Sequence, residues 1–302
     1  MMKAIQFSEY GGPDVLRIVE SEAPHAGTGE VRVRIRAAGV NPSDWKRREG
    51  QYRAFEDVLF PAGVGVEGAG IVDEVGRGVT SVAIGDAVFG FGENTMAEQA
   101  VLSHWARKPA NVSFEVAAGL PVVSDTATRA LDQVGVAAGQ TLLVSGAAGG
   151  VGTAIVQLAR LRGITVIGTA SAAKHHYLRE LGAIATTYGA GLEERIRELA
   201  PDGVDAAIDV AGSGIIPELI RIVGDAAHVL SVADFSAEQY GAKFSHGPPV
   251  DPARLFATIA ELCSAGSFTL RIDQTFPLDR AREAQEVSQL GRVTGKLIVC
   301  VD

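Results

Sequence analysis

The stretch from Thr141 to Gly152, TLLVSGAAGGVG, constrains the fold of this chain more than any other segment. A short apolar run leads into a glycine-rich turn, and a helical pattern follows as far as Leu161. This order is typical of a pyrophosphate site, because glycines let the backbone approach the phosphates and the first helical N–H groups have no partner within the helix. The alternative is a purely structural turn of another α/β protein. The residues of the turn expected to bind a dinucleotide are Gly146, Ala148, Gly149, Gly150, Val151 and Gly152.

The residues after the next strand indicate which dinucleotide is bound. Thr165–Thr169 reads as the second parallel strand, after which an NAD-binding protein usually carries Asp or Glu for the ribose 2′-hydroxyl. Here Ala170-Ser171-Ala172-Ala173-Lys174 follows, without a carboxylate. The hydroxyl of Ser171 and the ammonium of Lys174 suit a 2′-phosphate, whereas the other interpretation of Lys174 is a solvated cation in a helical first turn. We therefore expect NADP(H) rather than NAD(H).

Strands and helices alternate from Thr141 onward, which predicts a doubly wound parallel sheet of the Rossmann type. The predicted strands span 141–145, 165–169, 185–188, 206–210 and 228–232, and the predicted helices span 152–161, 174–181, 192–199 and 215–222. Two further helices are expected before this region, one after a serine N-cap at Ser113 and one over 125–133.

The beginning and the end of the chain have β character. Short predicted strands with glycine corners span 2–8, 15–20, 31–36, 64–75 and 85–90. They indicate a compact, barrel-like β domain. After a helix over 253–264, strand patterns return at 269–275 and 296–301, so we expect the tail to rejoin the first domain.

Composition excludes several classes of function. The formal net charge is -9 and no basic run is present, so nucleic acid is not expected as a partner. No apolar span reaches membrane length, and the first residues lack the apolar core of a signal peptide. Cys263 and Cys300 form neither a metal-ligand pair nor a disulfide framework. We expect a cytoplasmic protein without a membrane partner.

Six segments, in this order, resemble the medium-chain dehydrogenase/reductase (MDR) superfamily, and specifically its zinc-free quinone-oxidoreductase branch. They are residues 37–46, 65–76, 85–90, 120–130, 147–152 and 295–296. The resemblance implies an α/β protein with two domains. A GroES-like β-barrel domain, residues 1–117, is completed by 253–302, and a Rossmann NADP-binding domain covers 118–252. It also implies a homodimer formed through an edge of the Rossmann sheet.

The resemblance assigns further cofactor contacts. Ser171, Lys174 and Tyr188 stand at positions like those that bind the 2′-phosphate in the family, although a strand-end aromatic such as Tyr188 can instead pack on the sheet. Thr126 matches a threonine placed near the nicotinamide or its ribose, and a helix residue between the domains is the other interpretation. Lys296, which follows Gly295 near the end of the chain, is taken as an additional cofactor contact.

The resemblance also implies residues around the substrate. Asn41 and Tyr52 match positions that line the substrate cleft, and Lys46 stands where some quinone reductases have tyrosine and enone reductases often have lysine. These three residues are the candidate catalytic set. Asp44 is expected to bond the backbone after Pro42, and Glu67 to pair with a cation.

Zinc is not expected at this site. Zinc-dependent relatives place cysteine and histidine where this chain has Asn41 and Val66, and neither an amide nor a valine is a good zinc ligand. Glu67 alone cannot hold the metal. No cysteine occurs between Phe89 and His104, so the four-cysteine structural lobe is absent from the sequence. His104 is expected to be an ordinary surface or packing residue.

The implied activity is hydride transfer from NADPH to an acceptor that is already electrophilic, either a quinone or an α,β-unsaturated carbonyl (enone). One alternative is an enoyl-thioester reductase, with Arg47, Arg48 and Arg53 as a cationic entrance for the phosphates of the substrate. These arginines can equally form a solvated basic turn. A second alternative is an NADPH-binding sensor with little turnover. The sequence offers no evident general acid, so the proton is expected from water.

Overall fold

The computed structural model describes residues 1–54 and 56–301. The chain divides into two compact units. The first comprises Met1–Val122 together with the chain from Asp251 onward, and the second comprises Val123–Val250. The functional domain limits expected above remain a prediction, and their last residue, Asp302, lies outside the described residues.

The elements are numbered in chain order. The strands are β1 (Met2–Phe7), β2 (Arg17–Ser21), β3 (Val31–Val40), β4 (Ala62–Gly63), β5 (Glu67–Val75), β6 (Ala87–Glu93), β7 (Gln99–Arg107), β8 (Thr141–Ser145), β9 (Thr165–Thr169), β10 (Ile184–Thr186), β11 (Ala206–Asp209), β12 (Val229–Ser231), β13 (Lys243–Phe244), β14 (Ile272–Pro277) and β15 (Lys296–Cys300). The α-helices are α1 (Pro42–Arg48), α2 (Phe114–Val134), α3 (Gly150–Leu161), α4 (His175–Glu180), α5 (Leu192–Leu199), α6 (Ile216–Val223), α7 (Pro252–Ser264) and α8 (Ala281–Gln289).

The first unit contains a closed sheet. Its strand order is β14-β15-β3-β5-β6-β7, and β7 also pairs with β3, so that β3, β5, β6 and β7 form a barrel. Strand β3 follows the predicted alternation, because Val31, Val33 and Ile35 are at most 1% exposed while the arginines between them point away from the core. The strands β1, β2 and β4 form a separate three-stranded sheet.

The end of the chain completes this barrel unit. Strand β15 runs antiparallel to β3 and places Leu297 opposite Val40 and Cys300 opposite Ala37. Strand β14 then pairs in parallel with β15 at the edge of the same sheet. The expectation that the tail rejoins the first domain is therefore confirmed.

The second unit is a six-stranded parallel sheet with the order β10-β9-β8-β11-β12-β13. Numbered from β8, this is the Rossmann order 3-2-1-4-5-6. All five predicted strands are present, each within two residues of its predicted bounds. The prediction missed β13, because a strand of two residues leaves no periodic pattern in the sequence.

One prediction about the helices is wrong. The two helices expected after Ser113 and over 125–133 form one continuous helix, α2, with Pro121 inside it. Proline removes a single helical N–H and does not end every helix it enters. Immediately after the proline, the N–H of Val122 is donated to Glu67 Oε2 at 2.8 Å. Glu67 thus satisfies a backbone N–H beside the proline, and α2 continues through Pro121.

Within residues 1–54 and 56–301, none of the helices combines the length and the apolar character needed to cross a bilayer.

Candidate active site

In the turn after β8, Gly146, Gly149 and Gly152 differ in backbone conformation and in how closely other atoms surround them. Gly146 has a φ of +79°, in the left-handed region that favours glycine. A Cβ on Gly152 would lie 2.5 Å from the carbonyl oxygen of Gly146 and 2.6 Å from Ala147 Cα, so this glycine allows helix α3 to pack closely on the turn. A Cβ on Gly149 would meet only the Gly146 oxygen, at 3.6 Å.

Gly149 is thus open to a ligand rather than enclosed by the protein. It is the N-cap of α3, and no side chain caps the helix there. The first N–H groups of a helix lack partners within it and attract anions. A tight turn, an open backbone and a close helix contact are the three features that glycines supply in pyrophosphate-binding turns. The turn fits a dinucleotide.

The predicted 2′-phosphate residues lie at the same edge of the sheet as this turn. Strands β8, β9 and β10 are parallel neighbours, so their carboxyl ends share an edge. Ser171 and Lys174, both partly exposed, follow the end of β9, and Tyr188 follows β10 with 62% of its surface exposed. Thr169 supports the turn itself, since its carbonyl accepts the N–H of Ala147 at 3.0 Å. The assignment of these three residues to a phosphate stays a prediction.

Sequence reasoning missed Asp209, a buried carboxylate at the end of β11. Its oxygens accept the N–H of Ala211 at 3.0 Å, the N–H of Gly212 at 3.2 Å and the hydroxyl of Ser231 at 2.9 Å. Strand β11 is the parallel neighbour of β8, so the loop that Asp209 orders lies at the same edge of the sheet as the glycine turn. An acidic residue at the end of an apolar strand is the signal that could have revealed it.

Thr126 lies half-buried in the part of α2 that belongs to the second unit. The adjacent Asp125 is 7% exposed, and its carboxylate is 3.7 Å from Arg129 Nε. Burial raises the pKa of Asp125, and Arg129 lowers it in part. Arg129 also donates to Ser245 Oγ at 2.8 Å. The expected contact of Thr126 with the nicotinamide side of the cofactor remains a prediction.

In the first unit, three distant residues form a buried polar cluster. Lys296 Nζ lies 2.7 Å from Glu67 Oε1 and 2.5 Å from Asn41 Oδ1. Asn41 Nδ2 donates to Glu67 Oε1 at 2.8 Å, and Glu67 Oε2 accepts the N–H of Val122. The exposed fractions are 4% for Lys296, 3% for Asn41 and 0% for Glu67. The expected pairing of Glu67 with a cation is confirmed, and the cation is Lys296.

These contacts define what the cluster can do chemically. The positive charge of Lys296 is matched by Glu67, so little net charge is left to polarise a substrate. Asn41 Oδ1 is occupied by Lys296, and one of the two amide hydrogens goes to Glu67. Within residues 1–54 and 56–301, the other amide hydrogen of Asn41 has no acceptor. The predicted role of Lys296 as a cofactor contact stays a prediction.

The donor set here does not fit zinc. Val66 offers no ligand atom, and the oxygens of Asn41 and Glu67 are already bonded to an ammonium. A metal cation would have to displace that ammonium from a buried ion pair. Among the residues described, no three His, Cys, Asp or Glu side chains are grouped to hold a metal ion. His104 is exposed, with Nδ1 3.1 Å from Ser103 Oγ.

A cavity of about 320 Å³ opens in the first unit, which we call the α1 cavity. Its lining comprises Phe7, Ser43, Asp44, Arg47, Tyr52, Glu56, Gly63, Val64, Gly65, Val66, Glu93 and Asn94. Of the three predicted catalytic residues, Tyr52 lines this cavity. Asn41 belongs to the buried cluster, and Lys46 is not among the lining residues, its Nζ lying 5.8 Å from the centre of the Trp45 ring.

Two titratable groups of the α1 cavity have raised pKa values. Burial raises the pKa of Asp44 to about 7, even though the N–H of Asn41 donates to its Oδ2 at 2.7 Å. The expected bond of Asp44 to the backbone is present, but its partner is Asn41, which precedes Pro42, rather than the turn after it. Burial, followed by the charges of Asp44 and Glu56, also raises the pKa of Tyr52. The Tyr52 phenol is therefore protonated at neutral pH and able to donate a hydrogen bond.

Arg47, Arg48 and Arg53 do not form an exposed cationic entrance. Arg48 is fully buried and donates from Nε to Gln285 Oε1 at 2.8 Å and from Nη1 to the carbonyl of Gly11. Arg47 pairs with Glu56 at 2.7 Å, and the Arg53 guanidinium lies 3.8 Å from the centre of the Tyr10 ring. Of the two interpretations given for these arginines, a cationic entrance and a solvated basic turn, neither holds for Arg48, because helix α8 covers it.

The two units define the class of protein. A Rossmann sheet with a dinucleotide turn, combined with a GroES-like barrel unit built from both ends of the chain, is the architecture of pyridine-nucleotide oxidoreductases. Residues 27–110 match the family described as alcohol dehydrogenase GroES-like domain, and residues 150–276 match the family described as zinc-binding dehydrogenase. The chain belongs to the MDR superfamily, in its quinone-oxidoreductase-like branch.

Individual relatives support this placement. The chain is 32% identical to 2-methylene-furan-3-one reductase of Solanum lycopersicum, over 99% of this chain and 79% of that protein. It is 31% identical to the chloroplastic NADPH-dependent alkenal/one oxidoreductase of Arabidopsis thaliana, with the same coverage. The quinone oxidoreductase structure from Coxiella burnetii superposes with a TM-score of 0.84 and 30% identity, covering 100% of this chain and 99% of that one.

Proposed function

We propose that this protein is a zinc-independent, NADPH-dependent oxidoreductase that reduces a quinone or the activated C=C bond of an α,β-unsaturated carbonyl. The observations that carry the proposal are the open dinucleotide turn of the second unit and, in the first unit, the Lys296 ammonium that occupies the oxygens of Asn41 and Glu67. The named activities of the tomato, Arabidopsis and Coxiella relatives support the same class of substrate.

The cofactor site fits NADP(H). The turn around Gly149 would hold the pyrophosphate, and Ser171, Lys174 and Tyr188 would surround the 2′-phosphate at the adjacent strand ends. No acidic residue between Thr169 and Lys174 would repel that phosphate. When bound, NADPH supplies the hydride that the reaction needs. The Arabidopsis relative is named as NADPH-dependent, which supports the same choice.

The acceptor must be electrophilic before it binds. An alcohol would require a base or a metal to remove its proton, and the donor set around Glu67 does not fit a metal. The ammonium of Lys296 is no substitute, because its charge is matched by Glu67 at 2.7 Å. A quinone or an enone needs no such activation, since each delocalises the added electron pair onto oxygen.

The α1 cavity is proposed to receive the acceptor. Its volume of about 320 Å³ lies in the range of small-molecule sites. The protonated phenol of Tyr52 would donate a hydrogen bond to the substrate carbonyl. Asn41 and Lys46 do not line the α1 cavity, so their predicted roles as donors would require the acceptor to extend beyond it. These roles are predictions carried over from the resemblance.

The test is oxidation of NADPH and NADH by the purified, metal-stripped protein. The acceptors are 1,4-benzoquinone, 9,10-phenanthrenequinone, a short alkenal, methyl vinyl ketone and crotonyl-CoA. We expect turnover with NADPH well above that with NADH, unchanged by a chelator, for the quinones, the alkenal or methyl vinyl ketone. Activity that requires added zinc would contradict the proposal.

The two alternatives are distinguished in the same assay. Turnover confined to crotonyl-CoA would indicate an enoyl-thioester reductase, which the burial of Arg48 does not favour. Tight NADPH binding without turnover of any acceptor would indicate a sensor.

We further propose a homodimer formed through the open edge of β13. This strand ends the parallel sheet, and Phe235 and Tyr240 beside it in the chain are 45% and 49% exposed. Analytical ultracentrifugation of the native protein and of a Tyr240→Glu variant would test it, and a monomeric native protein would contradict it. A cytoplasmic location remains a prediction that fractionation of cells would check.

A further inference from the structure

The reaction proposed above leaves one requirement unassigned, which is the source of the proton. Hydride addition to an enone produces an enolate, whose α-carbon must then take up a proton. Quinone reduction produces a hydroquinone anion, whose oxygen exchanges protons with water directly. The two acceptor classes therefore differ in their need for a positioned acid.

Asp44 has the geometry that such an acid needs. It occupies the third helical position of α1, 6% exposed, and lines the α1 cavity together with Tyr52. Its Oδ2 accepts the N–H of Asn41 at 2.7 Å, which fixes the orientation of the carboxyl group. Among the residues that the structure describes, its Oδ1 has no recorded hydrogen-bond partner. This oxygen is the one available to a molecule in the cavity.

Burial keeps a large fraction of Asp44 protonated near neutral pH, and the charges around it act in both directions. Burial is the largest effect, and the carboxylate of Glu67, on β5, acts in the same direction. Lys296 on β15 and Arg47 on α1 act in the opposite direction. The phenol of Tyr52 and the carboxylates of Glu56 and Glu93 line the same cavity. The pKa of Asp44 of about 7 is close to the value at which a general acid works best at neutral pH.

We propose that the carboxyl group of Asp44 protonates the enolate formed from an α,β-unsaturated carbonyl substrate. The proposal rests on the proposed function. A hydride that NADPH would give up, becoming NADP⁺, bonds with its electron pair to the β-carbon of the substrate. The C=C π pair then forms the double bond between the α-carbon and the carbonyl carbon, and the C=O π pair moves onto the oxygen. The enolate then takes the proton of Asp44 at its α-carbon, and the electron pair of the broken O–H bond stays on the carboxylate. Water in the cavity returns a proton to Asp44.

The test compares two classes of acceptor in one variant. Asp44→Asn retains an oxygen for the N–H of Asn41 but has no acidic proton. We expect kcat for methyl vinyl ketone to fall about 100-fold or more, whereas kcat for 9,10-phenanthrenequinone changes by less than about threefold. The matched control is Asp86→Asn, because Asp86 also accepts a backbone N–H at 2.7 Å, from Ala83, outside the cavity. The control is expected to leave both activities unchanged.

The pH profile separates a proton donor from a structural residue. In the native protein, kcat for methyl vinyl ketone should decline as the pH rises through about 7, and in Asp44→Asn the profile should lose this decline. An equal loss of enone and quinone turnover, or a profile unaltered in the variant, would overturn the role of Asp44. A native protein that reduces quinones alone would overturn it while leaving the proposed function intact. A native protein inactive with both would refute the proposed function itself, and this role with it.

Discussion

At the scale of single residues, Gly149 and Gly152 serve different purposes although they lie three positions apart. Gly149 is open, whereas Gly152 is enclosed by the backbone of the turn. Both glycines were predicted from the sequence, because this spacing between a strand and a helix is typical of pyrophosphate-binding turns. The sequence did not show which of them is open, since that depends on how α3 packs on the turn.

A methyl group at Gly149 should therefore weaken cofactor binding without unfolding the protein. The φ of -77° suits any residue, and the added Cβ has an ordinary contact at 3.6 Å. We expect Gly149→Ala to raise the Kd for NADPH roughly 10-fold, through the loss of close phosphate approach. In Gly152→Ala, overpacking should instead cost about 1–3 kcal/mol of stability. Isothermal titration and urea unfolding of both variants would show whether the two effects separate.

Lys174 provides a second residue-scale prediction. If its ammonium binds the 2′-phosphate, Lys174→Ala loses a charge-assisted bond worth about 1.5–3 kcal/mol, which is roughly a 10- to 100-fold rise in Kd for NADPH. NADH lacks this phosphate, so its Kd should not change. Measuring both Kd values by fluorescence titration provides the control, and an equal loss for the two cofactors would reject the assignment.

A double-mutant cycle should measure the coupling free energy between Lys296 and Glu67. Lys296→Met leaves an uncompensated buried carboxylate, and Glu67→Gln leaves an uncompensated ammonium, each costing about 3–5 kcal/mol. The double variant removes both charges and should lose much less than the sum. Urea unfolding of the four proteins measures the coupling, and strictly additive losses would contradict the pairing.

This cluster lay beyond sequence reasoning for a physical reason. Asn41 and Lys296 are 255 positions apart, and they meet because β15 pairs with β3 directly before α1 begins. Local patterns carry no information about such a register. The raised pKa of Asp44 could not be predicted from the sequence for the same reason, because burial in the fold is its main cause.

At the scale of elements, the predictions depended on the strength of local patterns. The strands of the second unit are short apolar runs between glycines and helices, so their positions were evident. Strand β7 was missed because Gln99, Ser103, His104 and Arg107 interrupt its apolar residues. Helix α2 was divided in two because Pro121 normally ends a helix, and only the fold supplies the acceptor for the N–H that follows it.

Removal of strand β15 should destabilise the first unit. This strand covers one side of β3 with four paired residues, and Leu297, Ile298 and Val299 are at most 2% exposed. We expect a chain ending at Gly291 to lose the cooperative unfolding of the first unit. Differential scanning calorimetry would measure this, with Leu290→Ser as the control because Leu290 is 68% exposed. An unchanged Tm in the shortened chain would contradict the role of β15.

At the scale of the whole molecule, the stability should depend on pH through Asp44. Its carboxyl is protonated up to about pH 7 when folded, but only up to about pH 4 when exposed in the unfolded chain. Between these values the folded state holds the extra proton, so its stability falls as the pH rises.

The free energy of unfolding of the native protein, relative to Asp44→Asn, should therefore decrease from pH 5 to pH 8. Urea unfolding at the two pH values measures this difference. A constant difference would show that Asp44 titrates in the folded protein as it does in water.

The overall arrangement was predictable only in part from patterns. Alternating strands and helices indicated the parallel sheet, and the β character of both ends suggested that they meet. The GroES-like barrel itself followed from the resemblance, because no periodicity specifies that β15 lies beside β3. The glycine turn is local and was predicted from the sequence, whereas the α1 cavity is assembled from segments between Phe7 and Asn94 and was not predicted.

The discontinuity of the first unit also has a consequence for synthesis on the ribosome. The second unit has all its strands once residue 244 has left the exit tunnel, whereas β3 lacks its partner β15 until residues 296–300 emerge. The order of folding during translation is therefore inverted relative to the order of the chain, with the later unit maturing first. Until β15 has emerged, the backbone groups of β3 that β15 will bind stay exposed, and this nascent edge is where a chaperone would be needed.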